Sequence, residues 1–227
     1  MGVFNLRESV VNDYMDYVES FVRIHDKRVD DFVREQLAAG ELWPEAMLQL
    51  NPAFVADRTL RQLASAGTIR FETARFFGED IELYRHQAEA LTAAQRGDNY
   101  VVSTGTGSGK SLTYLIPIYD AIMRDQPERH TVRAIIVYPM NALINSQLDA
   151  LKAYRDRNFP DSPVTFEQYT GQTMSENRQS IIDSPPHILL TNYVMLEYLL
   201  TRPFERTLLH TATHDLRHLV MDELHFY

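Results

Sequence analysis

A glycine-rich segment between a run of β-forming residues and a helical pattern constrains this fold more than any other feature. It follows residues 100–103 (YVVS), and its members are Thr104, Gly105, Thr106, Gly107, Ser108, Gly109, Lys110 and Ser111. Glycines let the backbone approach a phosphate closely, and the N-terminus of the following helix favours negative charge. The segment, here called the phosphate loop, therefore predicts a nucleotide site. Lys110 would reach the β- and γ-phosphates and the Ser111 hydroxyl would ligate Mg²⁺.

Two observations bear on how specific this motif is. Thr104 stands where the strict G-x-x-x-x-G-K-S/T pattern has glycine, although the G-x-G-K-S core is intact. Lysines occur at positions 27, 110 and 152 alone, so arginine supplies nearly all the positive charge and Lys110 stands out. The alternative interpretation is a flexible turn that happens to contain a lysine.

Composition excludes several classes of protein. The 227 residues are 44% hydrophobic and 23% charged, which is typical of a globular chain. The absence of cysteine excludes disulfides, thiolate metal sites and a cysteine nucleophile. A formal net charge of −9 argues against general electrostatic attraction to nucleic acid, so any such contact must be local. No stretch approaches the roughly 18 apolar residues of a membrane span, and we expect a cytoplasmic chain without a membrane partner.

The residue pattern divides the chain into two regions. Residues 1–76 predict a helical accessory region: apolar residues recur at helical spacing over 7–39, Gly40 and Pro44 end that pattern, and Asp57 or Thr59 caps another helix. Residues 77–227 alternate short β-rich runs with helical patterns, which predicts an α/β, doubly wound, mostly parallel sheet. The β-rich runs are 100–103, 134–138, 164–169, 187–191 and 219–221, and the helical patterns are 111–123, 142–154 and 194–200.

A pair of carboxylates follows the last β-rich run, at Asp222 and Glu223. An acidic residue at the end of a strand near a phosphate loop can hold Mg²⁺, and a following glutamate can polarise the attacking water. We assign Asp222 to the metal and Glu223 to the water, so that Lys110, Asp222 and Glu223 form the catalytic set. Acidic pairs also occur where an ordinary strand turns into a loop. The catalytic interpretation of Asp222 and Glu223 therefore depends on the presence of the phosphate loop.

At this point a family resemblance is specific. Five segments occur in the order found in the first RecA-like domain of superfamily 2 DEAD/DEAH-box helicases: LYRHQAEAL, STGTGSGKS, VYPMNALINSQ, LLTNYVMLEYLL and VMDELH. The similarity covers about residues 77–227 and is greatest to large bacterial members. It implies a RecA-like nucleotide-binding domain that uses ATP and Mg²⁺. It also implies a second RecA-like domain, which we expect to lie beyond this N-terminal piece, so that the 227 residues alone would be nearly inactive.

The resemblance assigns further roles residue by residue. Gln87 would recognise the adenine edge, and the alternative is an ordinary polar residue on an N-terminal helix. Contacts to a nucleic-acid backbone would come from Pro139, Asn141, Leu143, Gln147, Thr170, Gly171, Thr191 and Asn192. Met140 and Asn141 replace the threonine of many relatives, and each short motif could instead be a strand end with polar caps.

The resemblance implies an ATP-dependent helicase that translocates on nucleic acid, DNA more than RNA, and separates its strands. Two alternatives stay open: a nucleic-acid clamp regulated by ATP, and an unrelated P-loop NTPase. His210, His214 and His218 repeat every four residues, but the strand expected after residue 217 would keep them from sharing one helix face. We therefore expect surface histidines there, rather than a metal site.

Overall fold

The computed structural model describes residues 3–21, 24–39, 54–105, 107–125, 131–203, 208 and 215–227. The chain divides into two compact units, Met1–Pro52 and Ala53–Tyr227. The first unit contains α1 (Val3–Phe21) and α2 (Lys27–Ala38), which confirms the predicted N-terminal helices. The Asp26 carboxylate caps α2 by accepting hydrogen bonds from the Arg28 and Val29 amides. The predicted stops at Gly40 and Pro44 lie outside the described residues.

The second unit combines a small antiparallel pair of strands with a larger parallel sheet. In chain order its elements are β1 (Ala56–Thr59), α3 (Leu60–Ser65), α4 (Phe71–Phe77), β2 (Glu82–Tyr84), α5 (Arg85–Gln95), α6 (Leu112–Arg124), β3 (Ala134–Tyr138), α7 (Asn141–Asn158), β4 (Phe166–Tyr169), α8 (Ser175–Asp183), β5 (Ile188–Asn192), α9 (Tyr193–Thr201), β6 (His218–Met221) and a 3-10 turn (Leu224–Phe226). None of the helices in the described ranges combines the length and apolar content of a membrane span.

The parallel sheet has the strand order β4-β5-β3-β6 and is covered on both faces. Successive residues of a strand point to opposite faces, and β3 shows this clearly. Ile136 and Tyr138 join a core cluster with α6 and α7, whereas Ile135 and Val137 join a second cluster with α9. The predicted α/β, doubly wound architecture is confirmed, as are four of its five predicted strands.

The helix that begins at Leu60 is capped as the sequence predicted. Thr59 and Gln62 form a reciprocal capping box, and Gly67 follows the helix in a left-handed conformation. The two units do not coincide with the predicted division at residue 76. Leu60 of α3 and Phe76 of α4 belong to the core of the second unit. The Phe76 ring stacks on Tyr119 of α6 with 4.2 Å between centroids. The structure therefore divides after Pro52.

The predicted strand at residues 100–103 is corrected, because the structure places neither helix nor strand there. Val101 is 82% exposed, so the apolar run does not pack as a buried strand. The Tyr100 hydroxyl instead donates to the Thr113 carbonyl at 2.8 Å, which ties this segment to α6 through a side chain. β propensity produces a strand only where a neighbouring strand offers a pairing edge.

Candidate nucleotide site and nucleic-acid edge

Glycine is required at two positions of the phosphate loop. Gly107 has φ of 75° and Gly109 has φ of 70°, both in the left-handed region that side chains disfavour. A Cβ atom on Gly109 would also lie 2.5 Å from Gln87 Nε2. Backbone conformation and close packing therefore both select glycine at position 109. Thr106 lies outside the described residues.

The loop is closed on itself by its own side chains. The hydroxyls of Thr104 and Ser108 are 2.5 Å apart, and Ser108 is 1% exposed. Lys110 Nζ donates to the Thr104 carbonyl at 3.3 Å, across the mouth of the loop. Thr104, which replaces the glycine of the strict motif, thus contributes a hydrogen bond that glycine could not.

Gln87 holds the phosphate loop against α5. Its Oε1 accepts the Tyr84 amide at 2.8 Å, and its Nε2 donates to the carbonyls of Gly109 at 2.9 Å and Ser108 at 3.4 Å. The side chain is 3% exposed. The resemblance predicted that this amide recognises adenine, whereas here both of its amide hydrogens are directed to the loop. His86 Nε2, which sequence reasoning missed, lies 3.1 Å from the same Ser108 carbonyl.

The carboxylate pair stands at the carboxyl end of β6, beside β3. The Asp222 amide donates to the Val137 carbonyl at 2.9 Å, which fixes its place at the sheet edge. Burial, and then the adjacent Glu223 carboxylate, raise the pKa of Asp222, while Lys110 acts in the opposite direction. Two carboxylates in a partly buried site favour a bound cation, and the hydroxyl of Ser111 offers a further hard oxygen ligand. The donor set therefore fits Mg²⁺.

Glu223 has a strained backbone. Its φ of 52° and ψ of 50° make it the one non-glycine residue with positive φ in the described ranges. Such strain costs on the order of 1–3 kcal/mol and is concentrated at functional sites. Its carboxylate lies 3.5 Å from His225 Nδ1. The chain therefore leaves the extended conformation of β6 at Glu223, two residues after the strand ends at Met221.

Two of the predicted nucleic-acid motifs meet directly. Pro139 follows β3, Asn141 begins α7, and Asn192 ends the neighbouring β5. Asn192 Nδ2 donates to Asn141 Oδ1 at 2.8 Å, while Asn192 Oδ1 accepts the Met195 amide and caps α9. Gln147 lies farther along α7, half-buried. The parallel register pairs Tyr138 with Asn192 and Tyr169 with Thr191, so the carboxyl ends of β3, β4 and β5 lie side by side. Because the resemblance predicts nucleic-acid contacts there, these strand ends and the loops that follow them are called the nucleic-acid edge.

The threonines of the other motifs face inward. Thr191 is fully buried and its hydroxyl donates to the Tyr169 carbonyl at 2.7 Å. Thr170 is 2% exposed, and its hydroxyl accepts the Gln172 amide at 3.2 Å. Gly171 is exposed, with no atom within 4 Å of the position a Cβ would take. The backbone at Gly171 is therefore accessible to another molecule, as are the exposed residues Gln172 and Met174 of the same loop.

Arg178 of α8 supports that loop and was missed by sequence reasoning. Its guanidinium donates to the Thr173 carbonyl at 3.0 Å and to the Thr170 carbonyl at 3.1 Å, and it lies over the Tyr169 ring. The sequence contains many arginines, and no spacing rule singles this one out.

Comparison with known proteins agrees with this geometry. A family model described as DEAD/DEAH box helicase matches residues 84–227. This chain belongs to the DEAD/DEAH box helicase family.

Relatives within the family are identical to this chain at about a third of the aligned positions. An uncharacterized ATP-dependent helicase, MJ1574 of Methanocaldococcus jannaschii, is 30% identical over 70% of this chain and 24% of its own length. The ATP-dependent helicase hrq1 of Schizosaccharomyces pombe is 32% identical over 68% of this chain and 14% of its own length. The chain thus spans a quarter or less of these relatives.

Solved structures show the same fold. The DUF1998 helicase MrfA bound to DNA and AMPPNP superposes with a TM-score of 0.61 and 28% identity, over 77% of this chain and 23% of that one. The DEAD-box helicase Mss116 bound to ssRNA and UDP-BeF, at 18% identity and a TM-score of 0.55 over 77% of this chain and 42% of that one, supports the fold alone. The predicted RecA-like fold is confirmed.

The histidine repeat is only partly described in this DEAD/DEAH box domain. His218 begins β6, as the predicted turn into a strand required, and burial lowers its pKa. His210 and His214 lie outside the described residues. Within the described ranges no three His, Cys, Asp or Glu side chains form a cluster suited to a metal.

Proposed function

We propose that this chain is the ATP-binding part of an ATP-dependent helicase that moves along nucleic acid and separates its strands. One observation carries the proposal: nucleotide and nucleic-acid motifs converge on the end of β3. The Val137 carbonyl accepts the Asp222 amide, and the Tyr138 hydroxyl contacts Tyr114 of the phosphate-loop helix. The next residues of the chain begin the nucleic-acid edge.

The residues at the nucleotide site have separate tasks in this proposal. Lys110 leaves the Thr104 carbonyl and pairs with the β- and γ-phosphates, and the glycine backbone of the loop donates N–H groups to them. Ser111 and Asp222 would hold Mg²⁺, which would supply positive charge to neutralise the transferred phosphoryl group. Glu223 accepts the proton of the attacking water as general base. Gln87 keeps the loop in shape for these contacts.

The nucleic-acid edge supplies neutral donors, which suits an acidic chain. Exposed backbone at Gly171 and polar groups near Asn141, Gln147 and Asn192 would contact phosphates and sugars without recognising sequence. DNA is the proposed substrate because the MrfA structure contains DNA and is the more similar of the two complexes. RNA is the alternative outcome.

The proposed mechanism also uses a second domain. A second RecA-like domain would contribute an arginine finger, worth about 10³–10⁵ in rate in comparable enzymes. We propose a cytoplasmic location as well.

A strand-displacement assay with the complete protein tests the proposal. We expect unwinding of a tailed DNA duplex that requires ATP and Mg²⁺ and disappears in Lys110→Ala. Nucleotide-dependent binding without displacement would instead support a clamp, and displacement of RNA alone would reverse the choice of substrate.

A further inference from the structure

Two buried tyrosine hydroxyls join the phosphate-loop helix to the end of β3. Tyr114 OH and Tyr138 OH are 3.3 Å apart, and the two residues are 7% and 0% exposed. Either oxygen can be the donor. A buried hydroxyl without a partner is costly, so removing one of the two affects the other.

Tyr114 faces the proposed phosphate and metal ligands. It lies in the first turn of α6, three residues after the N-cap residue Ser111, and residues at that spacing are neighbours on one helix face. Burial, and then the Asp222 charge, raise the pKa of Tyr114 to about 12, while a hydrogen bond with the Ser111 side chain acts in the opposite direction. Tyr114 is therefore a neutral donor and acceptor about one helical turn from Ser111.

Tyr138 is the last residue of β3 and immediately precedes the nucleic-acid edge. The preceding residue, Val137, accepts the Asp222 amide, and Tyr138 pairs in register with Asn192. Three residues later Asn141 contacts Asn192 through its side chain. A change at the Tyr138 ring thus acts on the start of α7 through covalent geometry and one hydrogen bond.

We propose that Tyr114 and Tyr138 are positioning residues that couple occupancy of the phosphate loop to affinity at the nucleic-acid edge. This inference rests on the proposed function and adds a specific device to it. Neither hydroxyl needs to touch nucleotide or nucleic acid.

The physical basis is the direction of a short hydrogen-bond chain. Each hydroxyl has one hydrogen, so in the pair only one oxygen donates to the other. When a ligand takes the lone pairs of Ser111, the Ser111 hydrogen is left to donate to Tyr114, and Tyr114 then donates to Tyr138. With the loop empty, Tyr138 can instead donate to Tyr114, and Tyr114 to Ser111. Ligand binding therefore selects one of two arrangements, and coupling requires such a two-state element.

The test measures a coupling factor in the complete protein. The probe is a fluorescein-labelled oligothymidylate, and its Kd is determined with and without a non-hydrolysable ATP analogue. The ratio of the two Kd values is the factor, and the analogue's own affinity with and without oligothymidylate must give the same factor by linkage. The variants are Tyr114→Phe, Tyr138→Phe and the double variant.

Tyr119→Phe is the matched control. Tyr119 lies on the same helix α6, is 1% exposed, and has its hydroxyl 2.6 Å from Ser162 Oγ in the core. The Tyr119→Phe variant loses a buried hydroxyl whose partner, Ser162, belongs to neither the phosphate loop nor the nucleic-acid edge. Thermal unfolding of all variants separates a loss of stability from a loss of coupling.

We expect each single variant to reduce the factor about threefold to tenfold, the ratio that corresponds to one hydrogen bond of ordinary net strength. The double variant should lose no more than the larger single loss, because both changes remove the same link. Tyr119→Phe should keep the wild-type factor. An unchanged factor in Tyr138→Phe, or an equal loss in Tyr119→Phe, would overturn the inference. A wild-type protein that binds neither probe would overturn the proposed function itself and this inference with it.

Discussion

The phosphate loop and the nucleic-acid edge belong to one domain, but they are held in shape by different means. The motifs of the nucleic-acid edge end paired strands, so the ladder of β3, β4 and β5 fixes the positions of Pro139, Thr170 and Asn192. The segment before the phosphate loop pairs with no strand in the described part of the chain. Side chains of α5 hold the loop instead, chiefly Gln87.

This difference predicts in which region a single substitution has the larger effect. A strand end is fixed by many backbone hydrogen bonds, and one side chain there contributes little to its position. The conformation of the phosphate loop depends on a few side-chain contacts, so the loss of any one of them should change it. Substitutions at the nucleotide site should therefore have larger effects than equally conservative ones at the nucleic-acid edge.

The largest effect is expected from Glu223→Gln in the complete protein. An amide fills the same space but cannot accept the proton, so turnover should fall about a hundredfold or more. ATP affinity should stay within a factor of about two to three. Steady-state ATPase rates and calorimetric titration check the two quantities.

Lys110→Ala is the contrasting variant for that measurement. It removes a charge-assisted contact, worth about tenfold to a hundredfold in affinity. If Lys110→Ala binds ATP as the wild type does, the phosphate loop is misassigned. Equal hydrolysis by wild type and Glu223→Gln would contradict the role of Glu223.

An intermediate effect is expected from Gln87→Ala. Because the amide holds the loop, its removal should weaken ATP and GTP alike, by about tenfold. A competition titration with the two nucleotides measures both losses. A loss confined to ATP would show that Gln87 recognises adenine, as the family resemblance implies.

Gln95→Ala is a control on the same helix. Gln95 Nε2 donates to the Thr68 carbonyl, away from the phosphate loop. Both nucleotides should bind this variant as they bind the wild type.

The smallest effect is expected from Arg178→Gln at the nucleic-acid edge. Loss of its contacts to the Thr170 loop should weaken single-strand binding about threefold, because the strand ladder still holds the loop. The slope of log affinity against log salt should not change, since Arg178 positions the loop. A direct phosphate contact would lower that slope by about one.

Arg75→Gln is the charge-matched control. The Arg75 guanidinium also donates to a backbone carbonyl, that of Asn158, and lies over the ring of Phe159. Equal weakening in this variant would mean that Arg178 acts through net charge alone.

Sequence patterns predicted the elements that bury regular faces. The near-continuous apolar runs became β3 and β5, and the amphipathic patterns became α6, α7 and α9. The sequence predicted Asp57 or Thr59 as the cap of the helix at Leu60, and the structure selects Thr59, whose side chain forms a capping box with Gln62. These features depend on residues close together in the sequence.

The contacts that depend on distant residues were not predictable in this way. Residues 100–103 have strand-forming composition, yet the structure anchors them through Tyr100 to α6. His86 and Arg178 contact backbone carbonyls. Every residue has a backbone carbonyl, so the sequence does not show which one will be the partner. The inward orientation of the Thr170 hydroxyl likewise depends on the turn around it.

One measurement tests the central claim that nucleotide and nucleic-acid sites act as one unit. ATP hydrolysis by the complete protein is followed while oligothymidylate is added, with Glu223→Gln as the inactive reference. We predict a saturable rise in hydrolysis that Glu223→Gln abolishes and Tyr138→Phe diminishes. A rate that does not respond to single strands at any concentration would contradict this coupling and favour a family member whose ATP hydrolysis is independent of nucleic acid.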